Sequence, residues 1–341
     1  MTLQFPIRSV VQFVAGAILT GSIWQISFAD AAASDPVQHS EFAGALIQPG
    51  NEDGDILRRY EVQLFTTSQT HFYHVIDDAR HGCPWPDSFG RTGPDIGTES
   101  VQPHLIYDYD GHAYQIAIPP LVLALPKNIE AGTTWDQAGW QMTAIDQRSV
   151  NNVPAWSIEA RERRGRHQTL TVDAADGMTI RAEADVFMGQ GDQFKLTLAR
   201  SSVKPLEQVT SANITELQNE LIELQTALKR RPDAHERELS ARQIADVASA
   251  LERLTSLAMN TPLEGLVRQM TLDITHQRKR QESTANRATA LMGTDAPQFV
   301  LSLIDGRTLE SGTLKGKTVI LHFWDYRDAP LSEPYGQTGY L

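Results

Sequence analysis

The sequence predicts an α+β, multi-domain protein: an antiparallel β-sheet or barrel, then a helical hairpin, then a short α/β segment. Three observations predict it. Apolar residues recur with period two over residues 56–205, at steps of three and four over residues 211–285, and in short runs between turn signals over residues 290–341. With 341 residues, 41% of them apolar, the chain has material for more than one core. Its net charge of −12 repels nucleic-acid backbones and anionic lipid, so no nucleic-acid partner is expected.

Residues 1–33 stand apart. Arg8 supplies a positive start, Val10 to Phe28 is an apolar stretch diluted by polar residues, and "FADAAAS" offers small residues in Ala-x-Ala spacing. This is the pattern of an export signal cut after Ala31 or Ala33, and the alternative is an uncleaved membrane anchor. The expected location is therefore the periplasm or cell envelope, with no integral membrane segment left after cleavage. Residues 34–55 read as a linker.

From Ile56 the alternation is regular. Tyr60, Val62 and Leu64 share one face of a strand, as do Trp156, Ile158 and Ala160, and again Leu170 and Val172. Asp110-Gly111, Gly165, Asp176-Gly177 and the Gly189/Gly191 pair supply hairpin turns. Close strands with tight turns make an antiparallel meander, forming a curved sheet or a closed barrel.

The helical region opens with a capping signal, Asn213 with Glu216, and carries Ile214, Leu217, Leu221, Leu224 and Leu228 as a coiled-coil seam. Pro232 breaks it, and Asp233 facing Glu236 reads as a new cap. A second helix carries Leu239, Ile244, Val247, Leu251 and Leu254, is interrupted at Pro262, and continues through Leu266, Met270 and Ile274. A short connection makes the two helices an antiparallel hairpin, whose seam offers a route to self-association.

Candidate chemistry is sparse. The sole cysteine, Cys83 in "HGCPWPDSFG", has no internal partner; it is either a reactive or intermolecular thiol or a small buried side chain. His71, His74, His81, Asp77, Asp78 and Cys83 form the one cluster rich in metal-ligand types. On a strand His71 and His74 point to opposite faces, so no metal is expected there. "VFMGQGDQF" lies between alternating strands and opens no helix, which makes it a hairpin turn and not a phosphate cradle. Trp135, Trp140, Trp156 and Phe187 fall at core-like strand positions, where they serve either packing or an apolar ligand cavity. No cofactor site is read.

In the last segment, Gly293 with Ala296, Pro297 and Phe299, then Asp305-Gly306, Leu314, Gly316-Lys317 and a strand from Thr318 to Phe323-Trp324, resembles the opening of a TlpA/ResA-type thiol-disulfide oxidoreductase of the AhpC/TSA, thioredoxin-like group. The resemblance covers residues 290–341 only. It implies oxidoreductase activity through a Cys-x-x-Cys pair at a helix start. Here Arg327 stands where the family has tryptophan, Asp328 replaces the attacking cysteine and Leu331 the resolving one, while Pro330 is kept. The implied dithiol chemistry is therefore absent, no catalytic residue is assigned, and the chain is expected to be a truncated relative of the family. Two functions follow as expectations: a redox-inactive exported relative of these oxidoreductases, or a non-enzymatic envelope protein whose β domain binds an apolar ligand or an envelope protein.

Overall fold

The computed structural model of the chain describes residues 36–49, 55–67, 70–77, 85, 88–93, 102–163, 165–228, 238–295, 298–303, 305–319 and 331–332. Ten strands make one antiparallel sheet: β1 (Gln38–Gln48), β2 (Asp55–Thr66), β3 (His71–Asp77), β4 (Phe89–Thr92), β7 (Thr134–Gln137), β8 (Trp140–Val150), β9 (Val153–Glu162), β10 (His167–Asp173), β11 (Thr179–Met188) and β12 (Asp192–Pro205). Between the fourth and fifth of these the chain leaves the sheet as the hairpin β5 (His104–Tyr109) and β6 (His112–Ala117). The order is β4-β3-β2-β1-β12-β11-β10-β9-β8-β7, two meanders joined where β1 pairs with β12. β4 and β7 do not pair, so this is an open sheet and not a closed barrel.

The stretch read as a linker holds β1, which occupies the middle of the sheet. Its period-two signal is broken for a physical reason. The strand is buried on both faces near its start, at His39, Ser40 and Phe42, and its register shifts between Glu41 and Phe42 and again between Leu46 and Ile47. Gly44 is a packing requirement. A Cβ there would lie 2.2 Å from the Tyr60 ring, which crosses β1 so that its hydroxyl donates to the Thr197 carbonyl at 2.9 Å.

Each face of the sheet has its own core. On the inner face, Phe42, Tyr60, Val62, Tyr73, Ile158, Leu170, Phe194 and Leu196 pack with Leu105, Tyr114 and Ile116 of the β5–β6 hairpin and with Ile118 and Leu121 beyond it. On the outer face of β1–β4, Phe65, Phe72 and Phe89 pack against three helices, α1 (Gln208–Ala227), α2 (Ala241–Ala258) and α3 (Glu264–Leu291). The outer face of β9–β12 is polar: Lys195 pairs with Glu183, His167 lies 3.8 Å from Asp185, and Phe187 is half-buried on this side. Phe187 was expected in the core, but the parity of β11 sends Ala182, Ala184 and Val186 inward and Phe187 outward.

The expected hairpin of helices is three helices. α1 begins at Gln208, which leaves Asn213 inside the helix and not at its cap. α2 starts from a capping box in which Ser240 and Gln243 satisfy each other's backbone N–H groups. Asp233 and Glu236 lie outside the described residues. The interruption at Pro262 ends α2: Asn260 takes φ +60° and α3 starts at Glu264. The seam Ile214, Leu217, Leu221, Leu224 and Leu228 is spent on packing within the chain, at 0–7% exposure, and is not free for self-association. No described helix is long and apolar enough to cross a membrane.

After α3, β13 (Val300–Ser302) and β14 (Thr308–Glu310) form a two-stranded ladder around the Asp305-Gly306 turn, followed by a 3-10 turn at Ser311–Leu314. Val300 is 66% exposed. Thr318 and Val319 are irregular, and the remainder of the strand expected up to Trp324 lies outside the described residues. Leu331 and Ser332 form β15, parallel to β6, with Leu331 opposite Tyr114. Among the described residues there is no thioredoxin-like α/β layer.

Candidate ligand-binding face

The inner face is built by register. One cross-strand row runs Trp135, Met142, Ala160, Gln168, Ala184, Leu196 and Leu46 from β7 to β1. The next runs Ala144, Ile158, Leu170, Ala182, Leu198 and Gly44. Small residues recur in both rows, which lowers the floor of the face under β8–β11 and lets other groups approach closely. Trp156 is buried, and Trp135 and Trp140 are partly buried at the β7 edge against the same cluster. Of the expected aromatic set, three residues therefore belong to the inner face.

A strap of the chain's own residues covers this face. Tyr114 Oη accepts from the Gly189 N–H at 2.9 Å, and Tyr109 donates to Asp192 at 2.7 Å, which ties the β5–β6 hairpin to the β11–β12 turn. The Gly189/Gly191 segment is thus a hairpin turn, both glycines having positive φ. At the other end of the strap, Leu123 N donates to the Gly177 carbonyl at 2.9 Å and Thr179 Oγ1 to the Pro120 carbonyl at 2.7 Å. Gly177 has φ +72°, and a Cβ on it would lie 2.0 Å from the Leu123 oxygen, so only glycine admits this closure. Thr179 N–H also donates to the Leu121 carbonyl at 2.9 Å and Ala124 N–H to Gln137 Oε1 at 3.1 Å, and between its ends the strap is held by apolar contact and by Arg58 lying over the Tyr107 ring at 5.5 Å.

Under β7–β11 two uncharged donors of the inner face, Gln168 Nε2 and Trp135 Nε1, are buried with no hydrogen-bond partner among the described residues; toward the β2 end Arg58 Nε is likewise without one, although its Nη1 lies 3.5 Å from Asp77. Gln168 is 2% exposed. The sequence carried a signal for it, since Gln168 shares the parity of Leu170 and Val172 and so had to point inward, a polar group among apolar ones.

The histidines lie elsewhere. His71 and His74 do point to opposite faces of β3: His71 Nδ1 is 3.1 Å from Thr66 Oγ1, and His74 is buried against the helices with Nδ1 3.3 Å from Gln63 Oε1. Burial pushes His74 down to about 4. His39, stacked on Phe65 at 4.8 Å, is also pushed down by burial, against the opposing charge of Glu41. Between α3 and Trp85, Asp273 accepts from Gln277 Nε2 at 2.7 Å, and burial raises it to about 6. Among the described residues no group of three His, Cys, Asp or Glu side chains is close enough to hold a metal ion. Cys83, His81, Asp78 and Asp328 lie outside the described residues.

No family model matches the chain, and no curated protein matches it. Among solved structures it is similar to a DUF1329 family protein from Desulfovibrio piger, at 8% identity over 50% of this chain and 86% of that one, TM-score 0.22. A chain of the Pseudomonas aeruginosa MucA/MucB complex is 9% identical over 51% of this chain and 53% of that one, TM-score 0.23. A LolA superfamily protein from Nitrosomonas europaea is 11% identical over 51% of this chain and 87% of that one, TM-score 0.16. None of these is a thioredoxin-like redoxin. The expected membership in the TlpA/ResA thiol-disulfide oxidoreductases, with the oxidoreductase function it implied, is corrected by the segment itself: the described residues 298–303 and 305–319 form an exposed ladder and turn, and Leu331 sits in a strand beside β6 and not in a helix.

Proposed function

We propose that this chain is an exported, non-enzymatic binding protein of the cell envelope, whose inner sheet face takes an apolar ligand when the strap gives way. The observation that carries the reading is the bipartite sheet. Its outer face is permanently capped by helices over β1–β4, whereas its inner face is covered by a strap that leaves the sheet and returns. The alanine floor and the tryptophans near the β7 edge supply apolar area. Under β8–β11 the residues of this face offer van der Waals contact and uncharged donors, and its charged pair, Arg58 with Asp77, is engaged within the chain at the β2–β3 end, a chemistry suited to holding an apolar molecule. The N-terminal pattern of residues 1–33 supports export.

The test is a tryptophan-fluorescence titration of the full chain with a long-chain acyl probe. Saturable change, reduced by Ala184→Phe, which raises the floor, is expected. A flat response in a folded protein would overturn the reading.

A further inference from the structure

Resting on the reading that the inner face takes an apolar ligand, we propose that Gln168 and Trp135 form a polar subsite there for an uncharged carbonyl oxygen, so that the ligand is a neutral apolar molecule bearing an ester or amide. Both side chains stand in one cross-strand row, with Met142 and Ala160 between them in register and Ala184 on the far side of Gln168. Strand spacing places their backbones about 14 Å apart, and the two residues between them in the row, Met142 and Ala160, bring no competing donor.

Gln168 Nε2 and Trp135 Nε1 are buried without a partner among the described residues. A buried N–H is ordinarily paired, because leaving water without a replacement acceptor is unfavourable. Apolar neighbours cannot supply that acceptor: Gln168 faces Ala160 and Ala184 directly across its two ladders. Both alanines are short and their methyl groups offer no acceptor to the amide. A ligand carbonyl inserted there accepts from the amide or the indole and completes what the chain leaves open. A carboxylate beside Gln168 does not suit this row: its cation, Arg58 opposite Leu46, stands four strands away and is already paired with Asp77 at 3.5 Å, so the charge would be buried unpaired.

The experiment compares a long-chain fatty-acid methyl ester, the alkane of equal length and the free fatty acid, each titrated into the full-length chain, its Gln168→Leu variant and its Trp135→Phe variant. The wild type is expected to prefer the ester to the alkane by about ten-fold, the worth of one good hydrogen bond in a dry site. Gln168→Leu keeps alkane binding and loses the preference, and Trp135→Phe reduces it. An unchanged ester-to-alkane ratio in both variants overturns the proposal, as does preference for the free acid. If Gln168→Leu changes thermal stability alone, the amide is satisfied by a buried water and the proposal falls while the binding reading stands. If the folded wild type binds none of the probes, both fall. Should Gln168→Leu fail to fold, Gln168→Met and Trp135→Phe decide by the same ratio.

Discussion

His74 gives the sharpest stability test. It lies on the helix-facing side of β3, 3% exposed, with Nδ1 near Gln63 Oε1 and Nε2 without a partner among the described residues. With the amide oxygen as acceptor, the ring donates at Nδ1 and buries a bare lone pair at Nε2. Protonation there introduces a charge between the sheet and the helices with no acceptor to meet it. Burial holds the group at about 4 in the folded chain, below its ordinary 6.5. The folded value is the lower one, so the stabilisation is complete above pH 6.5 and is lost as the pH falls toward 4. The loss amounts to about 3 kcal/mol from this group alone. His39, also depressed by burial, adds in the same direction. Asp273 works against both, because its carboxyl is raised to about 6 and gains a proton in the folded state as the pH drops. Urea denaturation from pH 7.5 to 4.0 should show His74→Leu with a markedly shallower fall in stability than the wild type, whatever its offset at pH 7.5. An identical slope in the variant would refute the reasoning.

Three further outcomes follow from the packing. Asp273→Asn should stabilise the chain by about 2 kcal/mol at pH 7.5, with the gain vanishing near pH 4, because it removes a buried charge while keeping an acceptor for Gln277; chemical denaturation at the two pH values checks it. Gly44→Ala should cost about 1–3 kcal/mol by forcing its Cβ into the Tyr60 ring, and the cost should shrink in a Tyr60→Leu background when a double-mutant cycle is measured by calorimetry. Leu221→Ala, at a fully buried position of α1, should cost about 2–5 kcal/mol and raise hydrogen exchange in α1 more than in β8–β11.

The sequence made the strands of the second meander legible because each buries one face and exposes the other, so Trp156, Ile158 and Ala160 announce themselves by parity. β1 was hidden because it buries both faces and carries two register shifts, and a broken period reads as a linker. The β5–β6 hairpin was legible from Asp110-Gly111, but its departure from the main sheet to cover the inner face depends on contacts with Gly177 and Gly189 far along the chain, which local pattern does not encode. The apolar spacing of α1 makes its seam legible, and that seam does pack in one cluster with Ile244, Val247 and Leu254 of the next helix; that Phe65, Phe72 and Phe89 of the sheet share the cluster is not encoded in spacing, which says that a stripe must be covered and not by everything that covers it. The candidate face is half visible in the sequence: three tryptophans point to it, whereas Phe187 points away through strand parity, and Gln168 differs from its inward neighbours only in being polar, which period alone does not flag.

The most direct test of the account is equilibrium binding of a long-chain acyl methyl ester to the full chain, followed by calorimetry at several temperatures. A single saturable event with a negative heat-capacity change, absent when Ala184→Phe fills the floor, is the predicted result. Titrations that never saturate, or that are indifferent to Ala184→Phe, would contradict the claim that the inner face of the sheet is the binding surface.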